Sequence, residues 1–384
     1  MIRDTDPLAH LIEQVRSAAS SGVPLRIRGG GTKDFYGQAL HGEVLDTTVL
    51  SGVISYEPSE LVITCLAGTP LAEVEKLLAE HGQCLPFEPP HFGVAAPLPA
   101  GVHHALARNA ATVGGAVASG LAGPARASMG GVRDYMLGVR LLNGKSEHLT
   151  FGGQVMKNVA GYDVSRLMAG TLGMLGLLTE LSLKVLPVAP AEATLTFECS
   201  QSQALQWLNV WGGQPLPLNA SCWLEDEGVG KLYLRLRGAV AAVEAACKTL
   251  GGEKKDNAEA AADWQACRNQ TLPWFTGRAP DQDLWRLSVP QTAPALDLPD
   301  APLIEWHGAQ RWVRCSGEQA ASLRAQAAAV GGHATLFIAA SSGKSTGIAR
   351  FDALKSPLDK IHRQLKHEFD PAGIFNPGRM TADW

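Results

Sequence analysis

What the chain lacks limits its chemistry before any motif is read. Its seven cysteines, at 65, 84, 199, 222, 247, 267 and 315, include no CxxC pair, and the count is odd. That argues against a disulfide framework, a zinc site or iron–sulfur ligation by this chain. The thiols read as reduced and mostly buried, in a reducing compartment. No HxH occurs, and His362 and His367 stand five apart, so they do not share a helix face; no metal site is expected. No stretch approaches the roughly 20 apolar residues that cross a bilayer. The first residues, MIRDTDPLAHLIEQVRSAASSG, carry acids early and read as an amphipathic helix on Leu8, Leu11, Ile12 and Val15, not as a signal peptide. A net charge of −4 offers no basic face for nucleic acid. The expected location is cytoplasmic.

Two phosphate signatures are missing as well. Gly343-Lys344-Ser345 ends like a Walker loop, but Ile338 stands where its first glycine belongs. In LRIRGGGTKDFYG (25–37), Gly29 and Gly31 fit the first two glycines of a dinucleotide fingerprint, but Asp34 occupies the third.

What is present begins with 384 residues, 46% of them hydrophobic and 18% charged. That is enough for a sizeable core and two or three domains. LRIRG and ELVITCLAG (60–68) read as strands. TPLAEVEKLLAEHG reads as a helix capped by Thr69, with Pro70 at its first position and Gly82 at its end. Residues 138–152 read as a hairpin turned at Asn143-Gly144, and LTELSLKVLP (178–187) as a strand alternating Leu181, Leu183 and Val185 with polar residues. PVAPAEA (187–193) reads as a boundary. Beyond it the element order resembles β-α-β-β-α-β units, predicting an antiparallel sheet with helices on one face. A helix and an irregular tail with Asn376-Pro377-Gly378 end the chain.

Glycine is concentrated in three places: Gly29–Gly31, the stretch NAATVGGAVASGLAGPARASMGGVRDYMLG (109–138), and MKNVAGYDVSRLMAGTLGMLGLLTEL (156–181). Glycines this dense weaken regular elements, so tight turns or close approach to a ligand must require them. Three successive glycines flanked by Arg28 and Lys33 suit an anion held by converging N–H groups. Asp163 and Arg166 read either as an ion pair at a helix start or as a cofactor or partner contact.

The series GGGT, TVGGAVASG-xxGP, GxVRDYxLG, KNVAGYDxxRLMxGTLGxLGxLTE and the tail FDPAGIFNPGRM resembles the FAD-binding domain of the vanillyl-alcohol oxidase/p-cresol methylhydroxylase (PCMH) superfamily. More narrowly, ELVITCLAGTPLAEVE, CLPFEPPHFG, GLAGPARA, PWF, LWRLSVP and GGHAT are similar to the FAD-binding subunits of bacterial glycolate oxidases. The segment 94–110, which includes His103 and His104, is longer than the resemblance leads one to expect and reads as an exposed loop.

The resemblance implies an α+β fold. A two-part PCMH-type FAD-binding domain (1–188) would carry an antiparallel ferredoxin-like α+β cap domain (189–350), with a C-terminal segment (351–384) returning to the first. It implies FAD contacts at Arg28, Gly29, Gly30, Gly31, Thr32 and Lys33, which match the pyrophosphate loop. Thr112, Val113, Gly114, Gly115, Ser119, Gly120, Gly123 and Pro124 match the segment around pyrophosphate and isoalloxazine. Ser128, Val132 and Asp134 follow, then Gly173, Gly176, Leu177 and Asn376. Neither the loop nor GLAGP offers a histidine or cysteine, so FAD is expected to be non-covalent.

The implied activity is oxidation of a small 2-hydroxy acid, glycolate to glyoxylate, within a complex. The implied partners are a larger FAD-containing subunit and an Fe–S subunit, with membrane association only through them. Candidate carboxylate clamps are Arg286, Arg311 and Arg314, and His333 is a candidate base. A self-sufficient 2-hydroxy-acid dehydrogenase and a flavin-free structural subunit stay open as alternatives.

Overall fold

Asp6 accepts a hydrogen bond from Leu8 N at 3.0 Å, Pro7 fills the first turn and Gly22 closes the last with φ 70°. These signals set α1 (Pro7–Ser21), whose Leu11, Val15 and Ala18 are buried. In this computed structural model, residues 6–92, 110–153, 163–341 and 347–382 are described. The helix packs on a parallel pair, β1 (Leu25–Arg28) and β2 (Glu43–Asp46). There follow β3 (Val53–Glu57), β4 (Val62–Leu66), α2 (Leu71–Glu80), β5 (Gln83–Cys84), α3 (Val113–Ser119), α4 (Arg126–Met129), β6 (Met136–Leu142), β7 (His148–Gly152), α5 (Val164–Leu167), β8 (Leu177–Lys184) and β9 (Leu186–Pro187). An antiparallel sheet runs in the order β3-β4-β8-β6-β7, and β5 pairs with β9.

Three local expectations change. Pro70, not Thr69, is the residue before α2. Thr69 Oγ1 instead donates to Leu66 O at 2.7 Å and accepts from Gly52 N, so it braces the strand-to-helix turn. The β6–β7 hairpin is not a two-residue turn. Asn143 Oδ1 accepts from Lys145 N and Glu147 N, and the left-handed residue is Ser146, so a five-residue loop joins the strands. Gly144 faces Asp370. Strand β8 is central and covered on both faces, so Thr179 and Ser182 are buried too, with Ser182 Oγ 2.9 Å from Thr64 Oγ1.

The rest builds a second antiparallel sheet from β10 (Ala191–Glu198), β11 (Leu218–Asp226), β12 (Val229–Gly238), β13 (Glu253–Lys254), β14 (Asp283–Ser288), β15 (Leu303–Glu305), β16 (Gln310–Cys315) and β17 (His333–Ile338). Its order is β13-β10-β12-β11-β15-β16-β14-β17. The helices here are α6 (Gln201–Gly212), α7 (Val240–Leu250), α8 (Asn257–Asn269), α9 (Pro273–Thr276) and α10 (Ala320–Ala329). They do not all lie on one face. Helices α6, α7 and α10 pack on Trp223, Leu232, Leu234, Trp285 and Leu287. Helices α8 and α9 pack on the alternate side chains Ala220, Cys222, Leu284 and Trp312. Tyr36 and Leu121 join that second core, because this face of the sheet also meets the N-terminal part of the chain. Among the described residues no helix is long and apolar enough to cross a membrane.

The two sheets are bolted together by charge. Glu88 Oε1 accepts from buried Arg235 Nη2 at 2.6 Å, and its Oε2 from Ala125 N at 3.1 Å. Glu75 pairs with Arg268, which also donates to Pro89 O at 2.9 Å. Finally α11 (Leu358–Phe369) brings the chain back to β1. Leu25 N donates to Ile374 O at 2.7 Å, and Asn376 N to Leu25 O at 2.9 Å. The buried ammonium of Lys366 holds this return through Met174 O, Phe375 O and Asp370 Oδ2. Its pKa is lowered by burial, against the opposing pull of Asp370.

Candidate functional site

The glycine loop after β1 is one wall of a cleft. Opposite it stand Thr112, Gly115 and Ser119 of α3 and its cap, and the C-terminal return closes one end with Asn376 and Arg379. The loop has no room for side chains. A Cβ on Gly29 would strike Thr112 Oγ1, one on Gly30 the Ala110 carbonyl oxygen, and one on Gly31 (φ 75°) the Arg28 guanidinium. Among the described residues, no hydrogen bond engages the N–H of Gly30, Gly31, Thr32 or Lys33. Such free donors, close together on glycine backbone, are a cradle for an anion. Lys33 adds an ammonium whose pKa is lowered to about 8, first by burial and then by the charge of Arg268. Arg28 is partly committed elsewhere, its Nε 2.8 Å from Asp34 Oδ2.

A cavity of about 430 Å³ lies near the cleft, where Tyr36, Gly120 and Arg126 meet the second sheet. Ser119 belongs to the cleft and Gly120 to the cavity, just as Arg28–Asp34 belong to the cleft and Tyr36 to the cavity. Loop and helix therefore flank the cleft together, and the chain leads from each into the lining of the cavity. Arg286 and His333 both reach the cavity, since β14 and β17 pair Ser288 with His333 and Arg286 with Thr335 on one face. Arg286 Nη2 donates to Tyr36 Oη at 3.1 Å. His333 stands at the mouth; partial burial and the Arg286 charge lower its pKa.

Other expected residues lie elsewhere. Helix α3 has a core side: Val113 is buried with its N–H on Thr69 O, and Gly114 donates to Ala67 O at 2.7 Å. Val132 is in the core, and Asp134 is held by Gly131 N at 2.9 Å, so both shape a turn. Ser128 bonds the His307 ring at 2.9 Å. Gly123 donates to Phe87 O and accepts from Trp306 Nε1, and Pro124 is buried beside it. Gly176 is pressed on Leu141 and Leu142, and Leu177 pairs with Leu142 in the core. Gly173 abuts Asn376 Nδ2. The Asn376 side chain, at the end of the cleft, ties Ile27 N (2.8 Å) to Leu172 O (2.6 Å).

Arg311 is no clamp. It points to the opposite face from Arg286, because neighbouring positions of a strand alternate, and donates to the carbonyls of Pro294 and Ala293. Arg314 pairs with Asp300. Asp163 and Arg166 form the ion pair at the start of α5, at 3.1 Å. The segment around His103 and His104, Gly161, and Gly343–Ser345 lie outside the described residues. Sequence reasoning passed over Tyr36, Arg126 and Arg379, although each sits inside a motif already recognised: TKDFYG, GPARA and FNPGRM.

Over its full length, the chain is 44% identical across 383 residues to glycolate oxidase subunit GlcE of Escherichia coli strain K12, covering 100% of each. The chain belongs to the GlcE family. The FAD binding domain family model matches residues 7–96, which include the glycine loop. Part of this GlcE-family chain, 45% of it, is 28% identical to a D-lactate dehydrogenase of Archaeoglobus fulgidus, spanning 35% of that protein. A D-2-hydroxyglutarate dehydrogenase of Xanthomonas citri pv. viticola is likewise 28% identical over 46% of the chain and 34% of its own length. Among solved structures, an alkyldihydroxyacetonephosphate synthase superposes with a TM-score of 0.63 at 15% identity, covering 96% of this chain and 75% of that one. That likeness is one of fold.

Proposed function

We propose that the chain is the FAD-binding subunit of a glycolate oxidase complex that converts glycolate to glyoxylate and passes electrons to a non-nicotinamide acceptor. One observation carries this reading: a chain collinear with a GlcE subunit puts its side-chain-free glycine loop and free N–H donors on a single cleft. The residues fit FAD. Arg28 to Lys33 would hold the pyrophosphate, and Thr112, Gly115, Ser119 and Gly120 would flank the cofactor towards the cavity. It would be held without a covalent bond, since the loop and GLAGP contain neither histidine nor cysteine. Bound there, FAD supplies acceptance of a hydride equivalent from the carbon that bears a hydroxyl.

The chain's own groups then orient the substrate. Arg286 can orient a carboxylate, and His333 is neutral at pH 7 and can take a proton. The proposed divisions are 1–188 for FAD, 189–350 for the cap and 351–384 for the return segment. The proposed partners are a larger FAD-containing subunit and an Fe–S subunit, in the cytoplasm or at the inner face of the membrane through them. A second reading, a self-sufficient 2-hydroxy-acid dehydrogenase, is favoured by the cavity that holds both Arg286 and His333. Anaerobic mixing of the purified, FAD-loaded chain with glycolate decides. Flavin that bleaches only when the partner subunits are added supports the subunit reading, and bleaching by the chain alone supports the second. A chain that binds no FAD overturns both.

A further inference from the structure

Two guanidiniums that start far apart in the chain converge on the cavity. Arg286 comes from β14 and Arg126 from α4. We infer that Arg126 and Arg286 together bind the carboxylate of a small 2-hydroxy or 2-oxo monocarboxylic acid, with Tyr36 and Trp306 holding them in position. The substrate class rests on the function proposed above; the carboxylate site rests on the cavity.

Arg286 has a single recorded side-chain bond, to Tyr36 Oη, and its Nε is buried with no partner among the described residues. Its Cζ lies 5.7 Å from the Tyr36 ring and 5.6 Å from Phe337, so the fork is fixed by stacking. The Arg126 Cζ lies 4.8 Å from the Trp306 ring. Burial lowers the Arg126 pKa, and the charge of Arg286 lowers it further; Asp134 opposes this, but its carboxylate is bonded to Gly131 N. Two like charges facing one partly enclosed space are stabilised by an anion between them. Planar, weakly hydrated guanidinium forks suit a carboxylate better than a point charge would. Ser288 and Gln291 add polar lining for the remaining oxygens.

The surroundings are built to keep Arg126 in place. Trp306 and His307 both adopt left-handed backbone, φ 54°, a conformation that costs a bulky residue energy and clusters at functional sites. The turn persists because Trp306 Nε1 donates to Gly123 O at 3.0 Å and the His307 ring bridges Ser128 and Ser221 at 2.9 and 3.1 Å. His307 is uncharged there, its pKa lowered to about 4 by burial. The β15–β16 turn thus grips α4 on both sides of Arg126.

The test titrates oxalate and glyoxylate into the full-length chain at constant ionic strength. Calorimetry reads the apo chain, and the flavin difference spectrum reads the FAD-loaded chain. The expected result is saturable binding that weakens tenfold or more in Arg126→Met and in Arg286→Met, with partial recovery in the lysine variants. FAD content should stay unchanged, as should binding in the control Lys255→Met, whose ammonium pairs with Asp263. Oxalate affinity unchanged within twofold in both methionine variants, each folded by circular dichroism, would overturn the site. So would loss of FAD with intact oxalate binding, which would give the arginines to the cofactor. If the chain takes up no FAD, calorimetry still reads the carboxylate site, so the two failures are distinguishable.

Discussion

Tyr36 Oη accepts a hydrogen bond from Arg286 Nη2 at 3.1 Å across 250 residues of sequence. Tyr36 closes the same glycine-rich segment whose free N–H groups face the cleft. The bond therefore ties the segment that forms the cleft wall to a strand that lines the cavity.

Gly30→Ala and Gly30→Glu should both purify without flavin. A negative side chain beside a phosphate is one cause for the second variant, but bulk alone suffices, since any Cβ at Gly30 meets the Ala110 carbonyl. Overpacking of this kind costs roughly 1–3 kcal/mol. The flavin-to-protein absorbance ratio reads the outcome; a Gly30→Ala chain with full flavin would refute the steric account.

Arg379→Ala should weaken FAD binding without touching the phosphate. Arg379 Nη2 donates to Asp34 O at 3.1 Å and Lys33 O at 3.3 Å, and its Nη1 to Gln38 O. These bonds hold the far side of the glycine loop. Bonds from a charged donor contribute about 1.5–3 kcal/mol, so roughly a tenfold or greater loss of affinity is expected. Fluorescence recovery on FAD release measures it; unchanged release would make the strap irrelevant to the cleft.

Glu88→Ala should destabilise the whole chain. It leaves Arg235, which is 3% exposed, without its carboxylate, and frees Ala125 N. Removing one partner of a buried pair costs about 3–5 kcal/mol. Urea unfolding should show a lower midpoint, and the double variant Glu88→Ala/Arg235→Met should recover part of the loss. A loss below about 1 kcal/mol, the size of an exposed pair, would contradict this.

The legible parts of the fold and site are those where backbone demands a residue type. Gly29 to Gly31 stand out because no side chain fits there, and Gly120 (φ 64°) because a helix must end left-handed. A motif, however, is a contiguous string, while α3 is a helix. Its repeat turns Gly115, Ala118 and Ser119 to the cleft and Val113 and Val117 to the core, so half of the matched residues face away. Arg286 and Arg311 look alike in the sequence, since both strands are covered on both faces and period two alone does not say which side holds the cavity. The meeting of Arg126 with Trp306, and of Tyr36 with Arg286, depends on how two sheets dock. Single side chains joined by docking leave no local pattern.

The affinity for FAD should fall as pH rises through about 8. Burial and Arg268 lower the Lys33 pKa to about 8 from its ordinary 10.5. A phosphate beside Lys33 favours the charged form, so the bound chain holds its proton to higher pH than the free chain. Below pH 8 both forms are protonated and affinity is level. Between that value and the raised pKa of the complex, binding must take up a proton, and affinity drops with each pH step. The apo chain moves the other way: its unfolded state binds more protons between pH 8 and 10.5, so this group makes stability rise over that range. FAD dissociation constants from pH 6.5 to 9.5, paired with thermal melts of the apo chain, read both slopes. In Lys33→Met the affinity should be lower and independent of pH across the window. A wild-type profile as flat as that of the variant would remove Lys33 from the cofactor site.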